Sequence, residues 1–188
     1  MFDFLPLKNI TKGSADIGIG LIDGPVAIDH QDLNSDNIIV IKGNLSGACT
    51  LKHSTACGHG TFIAGILKGK RNTVANALST NCTLIVRPIF SETPFPNDGM
   101  PTATPKDLSK AIVDLVDAKA RILNLSLGLV NPTTNKEPEL EAALNYAAKT
   151  GVLVVAAAGN QGTIGSTAIT RHPWVIPVVA CDKNGNSL

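Results

Sequence analysis

The chain reads as an α/β protein, a mostly parallel sheet with helices on both faces. Three observations predict it. Short runs are apolar and β-branched throughout, segments of helical apolar spacing separate them, and Gly or Pro stands at the joints. Runs that stay apolar at every position belong to strands covered on both sides, as parallel strands are.

In chain order, Asp16–Asp23 (DIGIGLID) is a buried strand that stops at Gly24-Pro25. Ile38–Lys42 is a second, short strand. His59–Lys68 places apolar residues at 62, 63, 66 and 67, a helix that Gly69 ends. Thr83–Ile89 is the third strand, with Pro88 near its end, where a strand tolerates it. A loop over 91–101, rich in Pro, Asp and Gly, leads to a helix running to about Lys119. Thr104 is its N-cap, Pro105 its first residue, and 108, 111, 112, 115 and 116 its apolar stripe. Arg121–Leu127 is a strand closed by Gly128. Glu137–Lys149 is a helix with acids in its first turn and Lys149 in its last. Val152–Ala158 is a buried strand, and Trp174–Ala180 is the last.

The 188 residues fit one domain, 1–188, since domains typically hold about 100–200 residues. Hydrophobic residues are 44% and charged residues 16%, enough for a sizeable core. A net charge of +1 leaves no electrostatic footprint for nucleic acid or an anionic membrane, and 4% aromatics provide no base-stacking platform. No run approaches the roughly 18 apolar residues of a membrane helix. The start, MFDFLPLKNITKGSAD, carries an acid at position 3 and no long apolar region. It does not read as a secretion signal, and a cytoplasmic location is expected. The cysteines are Cys49, Cys57, Cys82 and Cys181, with no CxxC among them. That pattern predicts free thiols in a reducing compartment, with no zinc cluster and no cofactor.

In such sheets reactive groups gather beyond the carboxyl ends of the strands. Asp23, Ser126 and Asn160 all follow strands. By itself Asp23 reads equally well as a turn residue before Gly24-Pro25. His59, in Cys57-Gly58-His59-Gly60-Thr61, reads as the first turn of a helix, where the helix dipole disfavours the imidazolium. A lone His there is more often held by local hydrogen bonds. Asn160 ends Ala157-Ala158-Gly159-Asn160, and Gly-Asn is common turn chemistry. Ser126 at a strand end is ordinarily structural. Together they point elsewhere: an acid to orient a His, a His to act as base, and an amide to stabilise an oxyanion are groups of an acyl-transfer site.

These residues resemble the subtilisin-like serine proteases. Ile22-Asp23-Gly24 resembles the family's Asp motif. His59-Gly60-Thr61-Phe62-Ile63-Ala64-Gly65 resembles its His motif, HGTxVAG. Leu123-Asn124-Leu125-Ser126-Leu127-Gly128 resembles its substrate-binding strand, and Ala157-Ala158-Gly159-Asn160 its oxyanion segment. Asp23-Gly24-Pro25-Val26, Ile85–Phe90 and Val179–Asp182 further resemble the branch that processes precursor peptides in cyanobactin-type pathways. The resemblance implies a three-layer subtilisin-like fold and a peptide or protein substrate. It also implies that Asp23 orients the imidazole, His59 acts as general base and acid, and Asn160 donates into the oxyanion hole. Ser126, Leu127 and Gly128 would face Ala157, Ala158 and Gly159 across the substrate cleft. Leu129 stands where relatives often have Gly. Asp32 matches a position that binds calcium in some secreted relatives, but no further ligands are identifiable, so no metal is expected.

The resemblance also implies a nucleophile in a Gly-Thr-Ser-x-Ala segment, and none occurs. Ser166 and Ser187, the serines after Asn160, lack the motif. The fold is therefore expected to be incomplete at its C-terminal end, leaving apolar surface uncovered. Such surface favours a Ser-bearing companion chain or a homo-oligomer. The readings that follow are a processed or shortened protease, or a peptide-binding module without catalysis on the same scaffold. Asp23, His59 and Asn160 together favour the protease, because a binding module has no need of all three. A nucleotide-binding domain is set aside, since neither GxGxxG nor GxxxxGK[ST] occurs.

Overall fold

A computed structural model describes residues 10–51, 53–71, 73, 77, 79–92, 102–127, 137–159, 167–182 and 184–186. Its six strands are β1 (Gly18–Asp23), β2 (Ile38–Val40), β3 (Thr83–Pro88), β4 (Ala120–Leu125), β5 (Leu153–Ala157) and β6 (Val175–Val178). They form one sheet in the order β2-β3-β1-β4-β5-β6, and every neighbouring pair is parallel. The helices described are α1 (Thr55–Lys68), α2 (Pro105–Asp117) and α3 (Pro138–Lys149).

β1 lies inside the sheet, bonded to β3 on one edge and β4 on the other. Its residues are all buried, which is why its sequence shows no alternation. Ile22 packs into the core with the inner stripes of α2 and α3. Ile19 and Leu21 face the opposite side, with Ala64 of α1 and Val86 of β3. Helices on both faces, as predicted, thus enclose the strand that carries Asp23. Each such Leu or Ile stabilises the fold by roughly 1.5–3 kcal/mol relative to exposure.

Local chemistry sets the helix ends. α2 opens with a capping box in which Thr104 Oγ1 accepts from the Asp107 N–H and the Asp107 carboxylate accepts from the Thr104 N–H. Its buried stripe is the predicted one, Leu108, Ala111, Ile112, Leu115 and Val116, with Ser109 beside it. α1 begins four residues earlier than predicted, because Ser54 Oγ accepts from the Cys57 N–H at 3.1 Å and caps it. Strand ends shift by one or two residues: the strands are shorter than predicted, except that β4 begins one residue earlier, at Ala120.

Two cations are buried where the sequence shows only strand and helix periodicity. Arg87 of β3 donates through Nε to Asp114 Oδ2 at 2.9 Å and through Nη1 to the Pro88 carbonyl at 2.8 Å. Lys68 donates to the carbonyls of Thr80 and Cys82 at 2.8 and 2.6 Å. Burial pushes its ammonium below the usual lysine range.

Coverage of the sheet is uneven. Val155 pairs with Ile176 and Ala157 with Val178, so these residues share the face opposite the buried Val154, Ala156 and Val175. On that face Leu153, Ile176 and Val178 are 43%, 49% and 51% exposed. Apolar surface is thus exposed on this face of β5 and β6.

Candidate active site

Asp23 is the last residue of β1. From there the chain turns toward β2 and β3, whereas β4, β5 and β6 lie on the other side of β1. The carboxyl end of β1 is therefore a switch point, where open α/β sheets form a crevice. Asp23 is fully buried. Its Oδ1 accepts from the Gly24 N–H at 2.7 Å and lies 2.7 Å from Nδ1 of His59. With Asp23 ionised, Nδ1 must carry the proton, and Nε2 is left with a free lone pair to accept another. Burial pushes the Asp23 carboxyl up, the bonds from His59 and Gly24 pull it back, and the net position is above the ordinary value. Oδ2 is buried without a partner among the described residues.

The approach of α1 to β1 is what makes this pairing. A Cβ on Gly60 would stand 2.6 Å from the carbonyl oxygens of both Gly24 and Pro25. A Cβ on Gly24 would collide with the Ala56 carbonyl. Only with glycine at both positions does the helix sit this close to the turn after β1. Thr61 adds a tie, its Oγ1 accepting from the Ala27 N–H at 2.9 Å. The Gly-His-Gly-Thr run is thus a packing device as well as a chemical one. His59 is the fifth residue of α1, not in its first turn as predicted, because Ser54 rather than a later residue caps the helix. The dipole argument therefore gives way to the direct bond from Asp23. The His59 side chain is 42% exposed, against 1% for Asp23, so its outer edge is open to a substrate.

The remaining predicted residues fall around the same end of the sheet. Ile22 pairs with Leu125 and Leu125 with Ala156. Ser126, next along β4, is thereby level with Asp23 on one side and Ala157 on the other. Ser126 Oγ accepts from the Asn124 side-chain amide at 2.8 Å, a contact that the sequence pattern does not single out. Leu127 packs against the main core. Ala158 donates its N–H to the Val178 carbonyl at 2.8 Å. Gly159 has φ of 103°, a conformation that favours glycine. Gly128 and Asn160 lie outside the described residues.

The expectation of four free thiols is corrected. Cys49 and Cys57 form a disulfide with Cα atoms 5.7 Å apart, while Cys82 and Cys181 are free. The chain between β2 and α1 folds back over the start of α1, a closure that an eight-residue spacing does not announce. Glu92, after β3, holds the same segment. It accepts from the N–H and hydroxyl of Thr50 at 2.7 Å each and from the Leu51 N–H at 3.2 Å. Asp32 accepts from Lys70 through its backbone carbonyl at 2.8 Å. It does not belong to the cluster of three ligating side chains found among the described residues.

Comparison with known proteins agrees with this geometry. The model of the subtilase family matches residues 14–187. A thermophilic serine proteinase from Bacillus sp. (strain AK1) is 34% identical over 178 residues, 93% of this chain and 41% of that protein. Thermitase from Thermoactinomyces vulgaris is 33% identical over 95% of this chain and 59% of its own length. A mutant of the protease domain of PatA superposes with a TM-score of 0.85 at 30% identity, covering 94% of this chain and 62% of that one. The chain spans roughly two fifths to three fifths of the relatives it matches.

Proposed function

Because the chain belongs to the subtilase family, we propose that it supplies the Asp and His of a serine-type endopeptidase that matures a ribosomally made precursor peptide. The observation that carries this reading is the 2.7 Å contact between buried Asp23 and exposed His59. The likeness to PatA, a patellamide maturation protease, supports the substrate class.

In the proposed reaction His59 Nε2 takes the proton of a serine hydroxyl as that oxygen attacks the scissile carbonyl. It then returns the proton to the leaving amine. Asp23 holds the tautomer and stabilises the imidazolium formed at each proton transfer. Asn160 donates to the oxyanion, and the substrate lies between Ser126–Gly128 and Ala157–Gly159. No Gly-Thr-Ser-x-Ala segment occurs in these 188 residues. The chain alone is therefore inactive in this reading. The serine is then supplied by sequence outside these 188 residues, on the same polypeptide or on a Ser-bearing companion chain. The proposed setting is the cytoplasm, where a thiol pool acts on the Cys49–Cys57 pair.

A fluorophosphonate probe applied to the native protein tests this. The reading expects a labelled serine on a species that contains or co-purifies with this chain. His59→Ala should reduce labelling by at least about 10³-fold. Labelling indifferent to His59→Ala overturns the mechanism. Peptide binding with no labelled species identifies a non-catalytic binding module instead.

A further inference from the structure

The segment that leads into α1 contains a second constellation, unused by the mechanism above. The Sγ atoms of Cys49 and Cys57 and a carboxylate oxygen of Glu92 all lie within 4.8 Å of one another. All three residues are partly exposed. The three come from separate places in the chain: the loop after β2, the first turn of α1 and the segment after β3. We propose that Cys49, Cys57 and Glu92 form a redox-gated site for a thiophilic divalent cation of the zinc class. The disulfide closes it and reduction opens it.

The chemistry of the donors supports the assignment. Two thiolates and one carboxylate are the ligand types zinc takes, at roughly 2.3 Å to sulfur and 2.0–2.2 Å to oxygen. Tetrahedral geometry then sets the two sulfurs about 3.8 Å apart. A Cα separation of 5.7 Å reaches that distance by side-chain rotation, without backbone movement. Glu92 is already oriented by Thr50, Leu51 and the Ser54 hydroxyl, as carboxylate ligands of metals generally are. Partial burial raises its carboxyl, but those hydrogen bonds outweigh burial and hold it below the usual range, so it is anionic at neutral pH. The 3.2 Å bond from Leu51 is the longest and the one an incoming cation would replace. Three protein ligands leave the fourth position to water.

Opening the site is a two-electron step. A dithiol reductant of the cellular thiol pool transfers two electrons and two protons to the Cys49–Cys57 bond. Two thiols form, and the reductant leaves as its own disulfide. Binding of the cation then releases the two thiol protons. Either closure, covalent or metallic, ties residue 49 to the first turn of α1, two residues before His59. The open dithiol leaves that tie undone.

Cobalt(II) titration of the folded chain tests the proposal, in a Cys181→Ser background that removes the exposed free thiol. After reduction under anaerobic conditions, one cobalt per chain should bind with the intense visible bands of a tetrahedral thiolate site. Zinc should displace it, and the oxidised chain should take up none. Glu92→Gln should weaken binding at least about tenfold, and Cys49→Ser should abolish the thiolate bands. Absence of binding to the reduced chain overturns the site, and so does binding unchanged by Glu92→Gln. The comparison of oxidised and reduced chains needs no substitution at these positions, so it decides the matter even if Cys49→Ser fails to fold.

Discussion

Gly58 and Gly60 flank His59, yet alanine at the two positions should act in opposite senses. At Gly60 the added Cβ meets two carbonyl oxygens at 2.6 Å, about 0.8 Å inside a comfortable contact. Both oxygens are backbone atoms of a turn pinned to buried β1, so the helix must give way. Overpacking of this kind costs about 2–3 kcal/mol, offset by roughly 1 kcal/mol from the better helix propensity of alanine. The expected net loss is about 1–2 kcal/mol. If the same 0.8 Å falls along the Asp23–His59 vector, the 2.7 Å bond stretches to about 3.5 Å, past the range of a hydrogen bond. At Gly58 an added Cβ meets nothing within 4 Å, and alanine should stabilise by about 0.5–1 kcal/mol. Urea unfolding measures the first quantity for both variants. The low-field NMR signal of the His59 Nδ1 proton reports the second. A Gly60→Ala chain as stable as wild type, with that signal in place, would refute the packing argument.

Further expectations follow from the buried charges and caps. Asp23 has a folded pKa above its unfolded value, taken as 3.8, so stability falls as pH rises through the window between the two. Asp23→Asn should therefore be at least as stable as wild type at pH 7 in thermal unfolding. If the proposed protease is assembled, the same change should lower its kcat by about 10⁴-fold. A destabilised Asp23→Asn chain would show that the hydrogen bonds from His59 and Gly24 outweigh the burial of the carboxylate. Asp114→Ala leaves the Arg87 guanidinium, 4% exposed, without its carboxylate. The loss, read from denaturant midpoints, should be about 2–4 kcal/mol, below the fully buried limit because the Asp114 side chain is 21% exposed. Thr104→Ala should cost about 1 kcal/mol. Adding Asp107→Ala should cost less than its separate value, because both residues serve one capping box.

Most of the architecture was legible because the physics is local. Apolar runs, Thr104-Pro105 and the terminal glycines fix strands and helices over a few residues each. The Asp23–His59 pairing was legible only through the resemblance. The residues are 36 apart, and neither the collision at Gly60 nor the Thr61 tie can be read before α1 is placed against β1. Arg87 and Lys68 sit in periodic runs that predict nothing about burial, and their acceptors come from turns and a neighbouring helix. The Cys49–Cys57 bond and its Glu92 companion were missed for the same reason. Their proximity depends on a loop whose path is set by Glu92 itself. The start of α1 was misplaced because Thr55 and Ala56 precede its apolar stripe, and only the Ser54 cap marks it.

The central place of β1 has a consequence for biosynthesis. Among the described strands Gly18–Asp23 is made before the others, but its partners are Thr83–Pro88 and Ala120–Leu125. At roughly 5–20 residues per second, the ribosome needs about 5–20 s between Asp23 and the end of β4. Throughout that interval an apolar strand with both edges unbonded trails from the exit tunnel. β2 can pair only once β3 has emerged, so no early hairpin shelters it. Asp23 is thus translated well before the strands that fix it in place. Co-translational capture by a chaperone would act on β1 before any part of the site exists.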